Sequence, residues 1–352
     1  MNRYRIELFN RADMSFAGMA ECEEPDINID YLVSSQSTVT CPNEVVANNG
    51  DFAQIRINGK IYFQGIVVDA NFDGIRTEIT LNQMTEVLNT EVFADVDLLK
   101  TQSIEVWLSD ILSRTFNGTD EAERLPNFSI VRNSSTSGTH TASDDGVYNL
   151  YELVVSFFKV YGVILDFDFD YMTRSITCTM HSVSTISYNF DLNVTDVLEY
   201  EIQSSLSSDT PNKMVVREQD NAANSITYYW HPTEFSGTID TDGTTNRVIP
   251  VKTRCVEIIV DEGESFESAA YASAEGTLYS SRYDDLITVT IRADSALFSD
   301  WSVGQLFTLH ANGKVYNTML TGIHKDSMSS IMLTFGYVRK RLTQILKMKG
   351  RV

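Results

Sequence analysis

The pentapeptide Asn58-Gly59-Lys60-Ile61-Tyr62 returns 254 residues later as Asn312-Gly313-Lys314-Val315-Tyr316. Ile55 and Ile57 lead into the first copy, and Ile61 and Phe63 lead out of it. Asn-Gly between alternating apolar residues signals a tight hairpin, because both turn residues tolerate positive φ. Each copy runs on to a Gly-Ile pair, Gly65-Ile66 and Gly322-Ile323, and then to a further strand, Glu78 to Leu81 and Ile331 to Thr334. Two readings are open. A favoured turn can recur by chance, or one β-domain occurs twice, at the start and the end of the chain. On the second reading, a trimer can build a ring of pseudo-sixfold geometry.

The regions around the two copies read as strands. Arg3 to Phe9 alternates around Tyr4, Ile6 and Leu8, Ile27, Ile29 and Tyr31 alternate again, and Ile75 to Leu81 adds a further strand. After residue 95 the period changes. Ile104, Trp107, Leu108, Ile111 and Leu112 share one helical face, with Ser103 placed to cap it and Glu105 in its first turn. Residues 117–146 are polar and read as an exposed loop with room for one strand. Leu150, Leu153, Val154, Phe157, Phe158 and Tyr161 hold helical spacing, between a capping box of Asn149 with Glu152 and a stop at Gly162. Strands Val163 to Phe169 and Ser175 to Met180 follow, which makes this stretch a small α+β module. Beyond residue 190 strands return at Val197 to Ile202, Lys213 to Arg217, Thr227 to Trp230, Arg254 to Val260, Leu286 to Arg292, Gln305 to Leu309 and Val315 to Leu320. Ser265 to Tyr283 reads as a helix that tolerates Gly276. The 352 residues are enough for two or three domains with real cores.

The residues offer little chemistry. Asp166, Asp168 and Asp170 alternate with Phe167 and Phe169, but the glycine and the bidentate glutamate of a calcium loop are replaced by Tyr171 and Thr177. The run therefore reads as a strand with phenylalanines inward and aspartates outward. Asp240-Thr241-Asp242-Gly243 reads as a turn. His140, His181, His231, His310 and His324 have no metal-ligand spacing, and GxSxG, the P-loop pattern and GxGxxG are absent. Cys22, Cys41, Cys178 and Cys255 show no CxxC and fit buried thiols in a reducing cytoplasm. The expectation is no enzyme, no catalytic residue, no metal and no cofactor.

Charge bears on partners. Acids outnumber bases 48 to 27, for a net charge of −21, and such a chain should repel a nucleic-acid backbone. The last fifteen residues are the exception: Arg339, Lys340, Arg341, Lys347, Lys349 and Arg351 occur there with no acid. The segment reads either as a solvated basic helix end or as a docking element for an acidic partner or neighbouring subunit. The N-terminus lacks the apolar core of a secretory signal. The longest apolar stretch, Leu150 to Phe169, is interrupted by Glu152, Lys159, Asp166 and Asp168. No stable membrane insertion is expected.

This organisation resembles the tail hub proteins of tailed bacteriophages and phage-like particles. The resemblance is carried by the strand-rich start through Asn58-Gly59-Lys60, by Leu150 to Gly162 followed by Val163-Ile164-Leu165-Asp166, and by Leu286 to Phe335 with its Asp300-Trp301-Ser302-Val303-Gly304-Gln305 turn. It implies an α+β, mainly β fold of two similar tube-like β-barrel domains. The first would be 1–95; the second would combine 190–230 and 284–337, with 231–283 as an inserted domain. The α+β module, 96–189, would lie between them, and 338–352 would form a basic C-terminal segment. The resemblance further implies a homotrimer at the virion tail tip, made in the bacterial cytoplasm. It would join the tail tube or a distal tail protein to a tip fibre or spike. Many such relatives continue into a fibre or lysin region; with the sequence ending at Val352, either that region is a separate protein or the sequence is a piece of a longer one. DNA would pass through an acidic channel without specific binding, since no phosphate would pair with Lys or Arg and no counterions would be released. A receptor- or carbohydrate-binding virion module is the alternative, with Tyr228, Tyr229 and Trp230 offered to sugar faces.

Overall fold

The computed structural model describes residues 3–94, 102–119, 121, 123–137, 146–183, 186–204, 211–221, 223–232, 237–243, 251–260, 263, 265–278, 283, 285–293, 301–325 and 329–337. The chain opens with β1 (Tyr4–Phe9), β2 (Phe16–Cys22), β3 (Ile27–Asp30), β4 (Gln36–Cys41), β5 (Phe52–Ile57), β6 (Lys60–Phe72) and β7 (Thr77–Gln83). Six of these form one sheet in the order β2-β1-β5-β6-β7-β4. Its apolar face gathers Ile6, Leu8, Val39, Ile55, Phe63, Ile79 and Leu81 into a core. Alternation puts these side chains on one side of the pleat.

β3 leaves that sheet. It pairs antiparallel with β21 (Lys314–Lys325) of a later sheet through Ile27 to Asp30, while Asp26 bridges back to Thr38 next to it in sequence. Residues 1–95 are therefore not self-contained, because a strand of that range completes the other sheet. Period-two alternation in Ile27, Ile29 and Tyr31 marks a strand but carries no information about which sheet it joins.

A 3-10 turn, Met84–Leu88, and β8 (Glu91–Ala94) lead into the middle module of α1 (Ile104–Phe116), β9 (Ser129–Arg132), β10 (Gly146–Asn149), α2 (Leu150–Tyr161), β11 (Val163–Asp170) and β12 (Ser175–Ser182). Both helices carry the caps expected of them. The Ser103 hydroxyl accepts the Val106 N–H, Asn149 accepts the Glu152 N–H, and Gly162 closes α2 at a φ of 67°. The helices bury Trp107, Leu108, Leu112, Leu153 and Phe157 together with Leu165, Phe167 and Phe169 of β11, and the same core takes in Phe9, Phe52 and Ile66 of the first sheet.

Glu105 does more than complement the helix dipole. It is fully buried, and its carboxylate accepts the Thr136 N–H at 2.7 Å and the Ser134 and Thr136 hydroxyls at 2.7 Å each. Burial pushes this carboxyl up, but those donors outweigh it and hold the group below the ordinary carboxylate range. A depressed folded-state value means stability that is present above the unfolded value, roughly pH 4.3, and lost as pH falls through the folded one. Glu105→Gln is expected to unfold about 1–3 kcal/mol more easily at neutral pH. The gap should narrow below about pH 4. Thermal melts across that range check it; a gap that stays constant with pH would assign the loss to packing.

The last third holds β13 (Ser187–Asp191), β14 (Val197–Ser204), β15 (Lys213–Glu218), β16 (Ser225–Pro232), β17 (Gly237–Asp240), β18 (Thr253–Ile258), α3 (Phe266–Leu278), β19 (Asp285–Arg292), β20 (Leu306–Ala311), β21 and β22 (Ser330–Phe335). The second large sheet runs β13-β20-β21-β22-β19-β14, with β3 on β21. β15 and β16 do not belong to it. They pair with β17 and β18, and Met214, Val216, Tyr228 and Trp230 pack under Ala270, Ala274 and Leu278 of α3. Of the 190–230 range expected in the second barrel, the sheet takes Phe190, Asp191 and β14, and the separate unit begins before residue 231. Strand propensity is the same for both sets; the sheet assignment comes from the α3 face.

Candidate assembly interface

The two Asn-Gly turns occupy matching places. Asn58-Gly59 joins β5 to β6, and Asn312-Gly313 joins β20 to β21. Their φ angles are 52° and 84° in the first and 51° and 74° in the second. Only residues tolerant of left-handed backbone fit both positions of such a turn. The surrounding units share one connection order. β4 is followed by the hairpin β5–β6 and then β7, which folds back beside β4. β19 is likewise followed by β20–β21 and then β22, which folds back beside β19.

Both long strands shift register against the strand that follows them, between Val67 and Asp69 in the β6–β7 pairing and between Leu320 and Gly322 in the β21–β22 pairing. The Gly-Ile pairs do not correspond: with the turns aligned, Gly65 falls opposite Met319, and Gly322 opposite Val68. The units differ at their flank as well, since β1 runs antiparallel to β5 whereas β13 runs parallel to β20.

Each turn is held by hydrogen bonds. The Arg3 N–H donates to Asn58 Oδ1 at 3.0 Å, and Arg56 donates to the Gly59 carbonyl at 2.8 Å. Asn312 Nδ2 donates to the Tyr200 hydroxyl of β14 at 3.0 Å. Beyond the tips, Ile61 and Val315 are 53% and 55% exposed. Next to the first tip, the Lys325 ammonium sits 5.0 Å from the Tyr62 ring centroid and 4.0 Å from a Glu24 oxygen. Burial pushes the Tyr62 phenol up to about 12. A hollow of about 460 Å³ lies here, lined by Ile57, Asn58, Lys60, Ile61, Tyr62 and Lys325.

The parts of the chain are joined by polar as well as apolar contacts. A row of Glu7, Gln54 and Gln64 crosses β1, β5 and β6: Gln54 donates to Glu7, Gln64 donates to Gln54, and Gln64 exchanges hydrogen bonds with both backbone groups of Phe169. The Tyr31 hydroxyl accepts the Leu165 N–H at 2.8 Å, and His324 meets Asp26 at 2.7 Å beside the β3–β21 pairing. None of these contacts was legible in the sequence, because alternation assigns a polar residue to a face without naming what covers it.

Asp166, Asp168 and Asp170 point outward from β11 as expected, with Asp166 paired to His181 at 2.7 Å. Among the described residues no group of three His, Cys, Asp or Glu side chains gathers to hold a metal. Cys178 is buried and its thiol is pushed far up by that burial, so it is not poised as a thiolate nucleophile. Tyr228 and Trp230 are buried beneath α3, at 5% and 3% exposure, which overturns the sugar-stacking platform; only Tyr229 lies on the other face, under Lys213. Arg339, Lys340, Arg341, Lys347, Lys349 and Arg351 lie outside the described residues.

No protein-family model matches the chain, and no curated protein matches it in sequence. Solved structures do match its fold. The 43 kDa tail protein of prophage MuSo2 from Shewanella oneidensis superposes with a TM-score of 0.56 at 15% identity, covering 96% of this chain and 98% of that one. The tail protein from Neisseria meningitidis MC58 gives 0.54 at 13% identity, covering 95% of this chain and 96% of that one. The chain thus shares its fold, over nearly its whole length, with phage tail proteins.

Proposed function

We propose that this chain is the structural hub of a phage tail tip or baseplate. Three copies form a pseudo-sixfold ring that joins the tail tube to tip components and leaves a channel for DNA. The observation that carries the reading is the recurrence within one chain of a four-stranded unit with the same connection order and the same Asn-Gly hairpin. Two such units per chain give six per trimer, which reconciles a sixfold tube with a threefold tip. A chain that repeats an interface unit needs no catalytic centre for this role. The basic segment, Arg339 to Arg351, is assigned to contact with a neighbouring subunit or tail protein, away from the channel.

The net charge of −21 suits a conduit rather than a binder. Phosphate binding depends on Lys and Arg displacing counterions, and an acidic wall offers little of either. Titration of the assembled protein with duplex DNA is expected to give no complex at physiological salt. Tight binding that weakens steeply as salt rises would contradict the conduit.

A further inference from the structure

We propose that Cys22 and Cys41 are a disulfide site, which an oxidant of the disulfide class closes to staple the two ends of the first sheet together. That sheet runs from β2 at one end to β4 at the other, and it curls until the ends meet. At the seam the Asp26 and Thr38 backbones exchange hydrogen bonds at 3.0 and 2.8 Å, and the Glu23 N–H donates to the Thr40 carbonyl at 2.8 Å. The bridge there is antiparallel. Cys22 precedes Glu23 and Cys41 follows Thr40, so the next step along the seam sets the two cysteines opposite each other. A position that flanks a hydrogen-bonded pair is a non-hydrogen-bonded one, where facing Cα atoms stand about 4.5 Å apart and side chains come closest. A disulfide spans that separation. Both side chains also turn to the same side: Cys41 is fully buried in the core of the first sheet, and Cys22 packs against that core. Cys178 belongs to the core of the middle module and Cys255 is exposed on β18.

Next to the pair, between β2 and the segment after β4, lies a hollow of about 590 Å³ lined by Gly18, Ala20, Glu21, Pro42, Glu44 and Val45 among others. Cys22 is half-buried beside it, so its sulfur is the one a reagent reaches first. Burial pushes the Cys22 thiol up to about 12, with Cys41 adding to the rise, and pushes Cys41 up to about 11. Thiols held that high react slowly at neutral pH and stay reduced in a reducing cytoplasm. In the closing reaction Cys22 gives up its proton, and its thiolate attacks one sulfur of oxidised glutathione and displaces a glutathione thiolate. The Cys41 thiolate then attacks the Cys22 sulfur of the mixed disulfide and displaces the second glutathione. Two protein thiols are thereby oxidised to one disulfide, and one oxidised glutathione is reduced to two molecules of glutathione.

The test treats the full-length protein with oxidised glutathione at mildly alkaline pH, without denaturant. Unreduced digestion with a glutamate-specific protease then cuts between the cysteines, at Glu23 and Glu24. Mass spectrometry is expected to find the Cys22 and Cys41 peptides joined within one chain. Because the bond closes a loop of about 20 residues, the oxidised protein should melt about 5 °C higher, and reduction should reverse the shift. Cys22→Ser and Cys41→Ser should each lose both the link and the rise, whereas Cys255→Ser should keep them. Cysteines that stay reduced, or a stable glutathione adduct on Cys22 with no link to Cys41, would overturn the proposal. So would a link that forms only in denaturant or only between chains. A link that leaves the melting temperature unchanged or lower would overturn the staple.

Discussion

Phe157→Ala is expected to lower stability by about 3–5 kcal/mol, the range for deleting a large aromatic from a packed core. Phe157 is 3% exposed on the inner face of α2. Its ring meets Trp107 of α1 edge to face, with centroids 5.7 Å apart, and Tyr161 at 5.9 Å. Truncation would remove this ring contact between the two helices within the core that the module shares with the first sheet. The hole cannot close by moving one helix alone, because α2 is fixed at one end by Asn149 and at the other by the Gly162 stop. Denaturant unfolding gives the measurement. A loss below about 1 kcal/mol would mean the neighbours collapse into the space or that this face packs elsewhere.

Gly336→Ala is expected to be as damaging, at roughly 3 kcal/mol or more, although it adds one methyl group. Gly336 has a φ of +83°, which an L-residue adopts only with strain, and a Cβ there would lie 1.8 Å from the Asp285 carbonyl oxygen. That oxygen belongs to the backbone at the start of β19, so no side-chain rotation relieves the clash. The Gly336 N–H also donates to Met319 at 2.9 Å, and its carbonyl accepts the Thr321 hydroxyl at 2.8 Å. The next residue, Tyr337, donates its N–H to Tyr283 and packs against Phe158, joining the second sheet to the module. Gly59→Ala is the control. It has a similar φ of +84° but open space around the added methyl, so only the backbone term, about 1 kcal/mol, should appear. Equal losses at the two sites would contradict the clash.

Local pattern made much of this fold readable. Ser103, Asn149 and Gly162 marked helix ends because capping chemistry is confined to a few neighbouring residues. The alternation of Asp166, Phe167, Asp168 and Phe169 gave the faces of β11 for the same reason. The pentapeptide echo located both hairpins, since a turn with two left-handed residues restricts sequence strongly.

Several choices among distant partners escaped the sequence. β3 carries the pattern of a first-sheet strand and pairs with β21, and β15 and β16 look like barrel strands yet pack under α3. β2 and β4 were missed because their small and polar residues, such as Ala17-Gly18 and Ser37-Thr38, give weak hydrophobic contrast. At the two hairpin tips, Asn58, Gly59, Asn312 and Gly313 were legible as turns, whereas the matching exposure of Ile61 and Val315 depends on the folded arrangement of the strands. Tyr228 and Trp230 misled because an aromatic run signals stacking surface and buried core alike until the covering helix is placed.

Closure of a ring by three chains, built from six related β-units, is tested most directly by electron microscopy of the assembled protein at high concentration. The expected image is a threefold particle with six similar lobes around an open channel that admits duplex DNA. A protein that stays monomeric even with its tail partner present, or a closed particle without a channel, would contradict the hub.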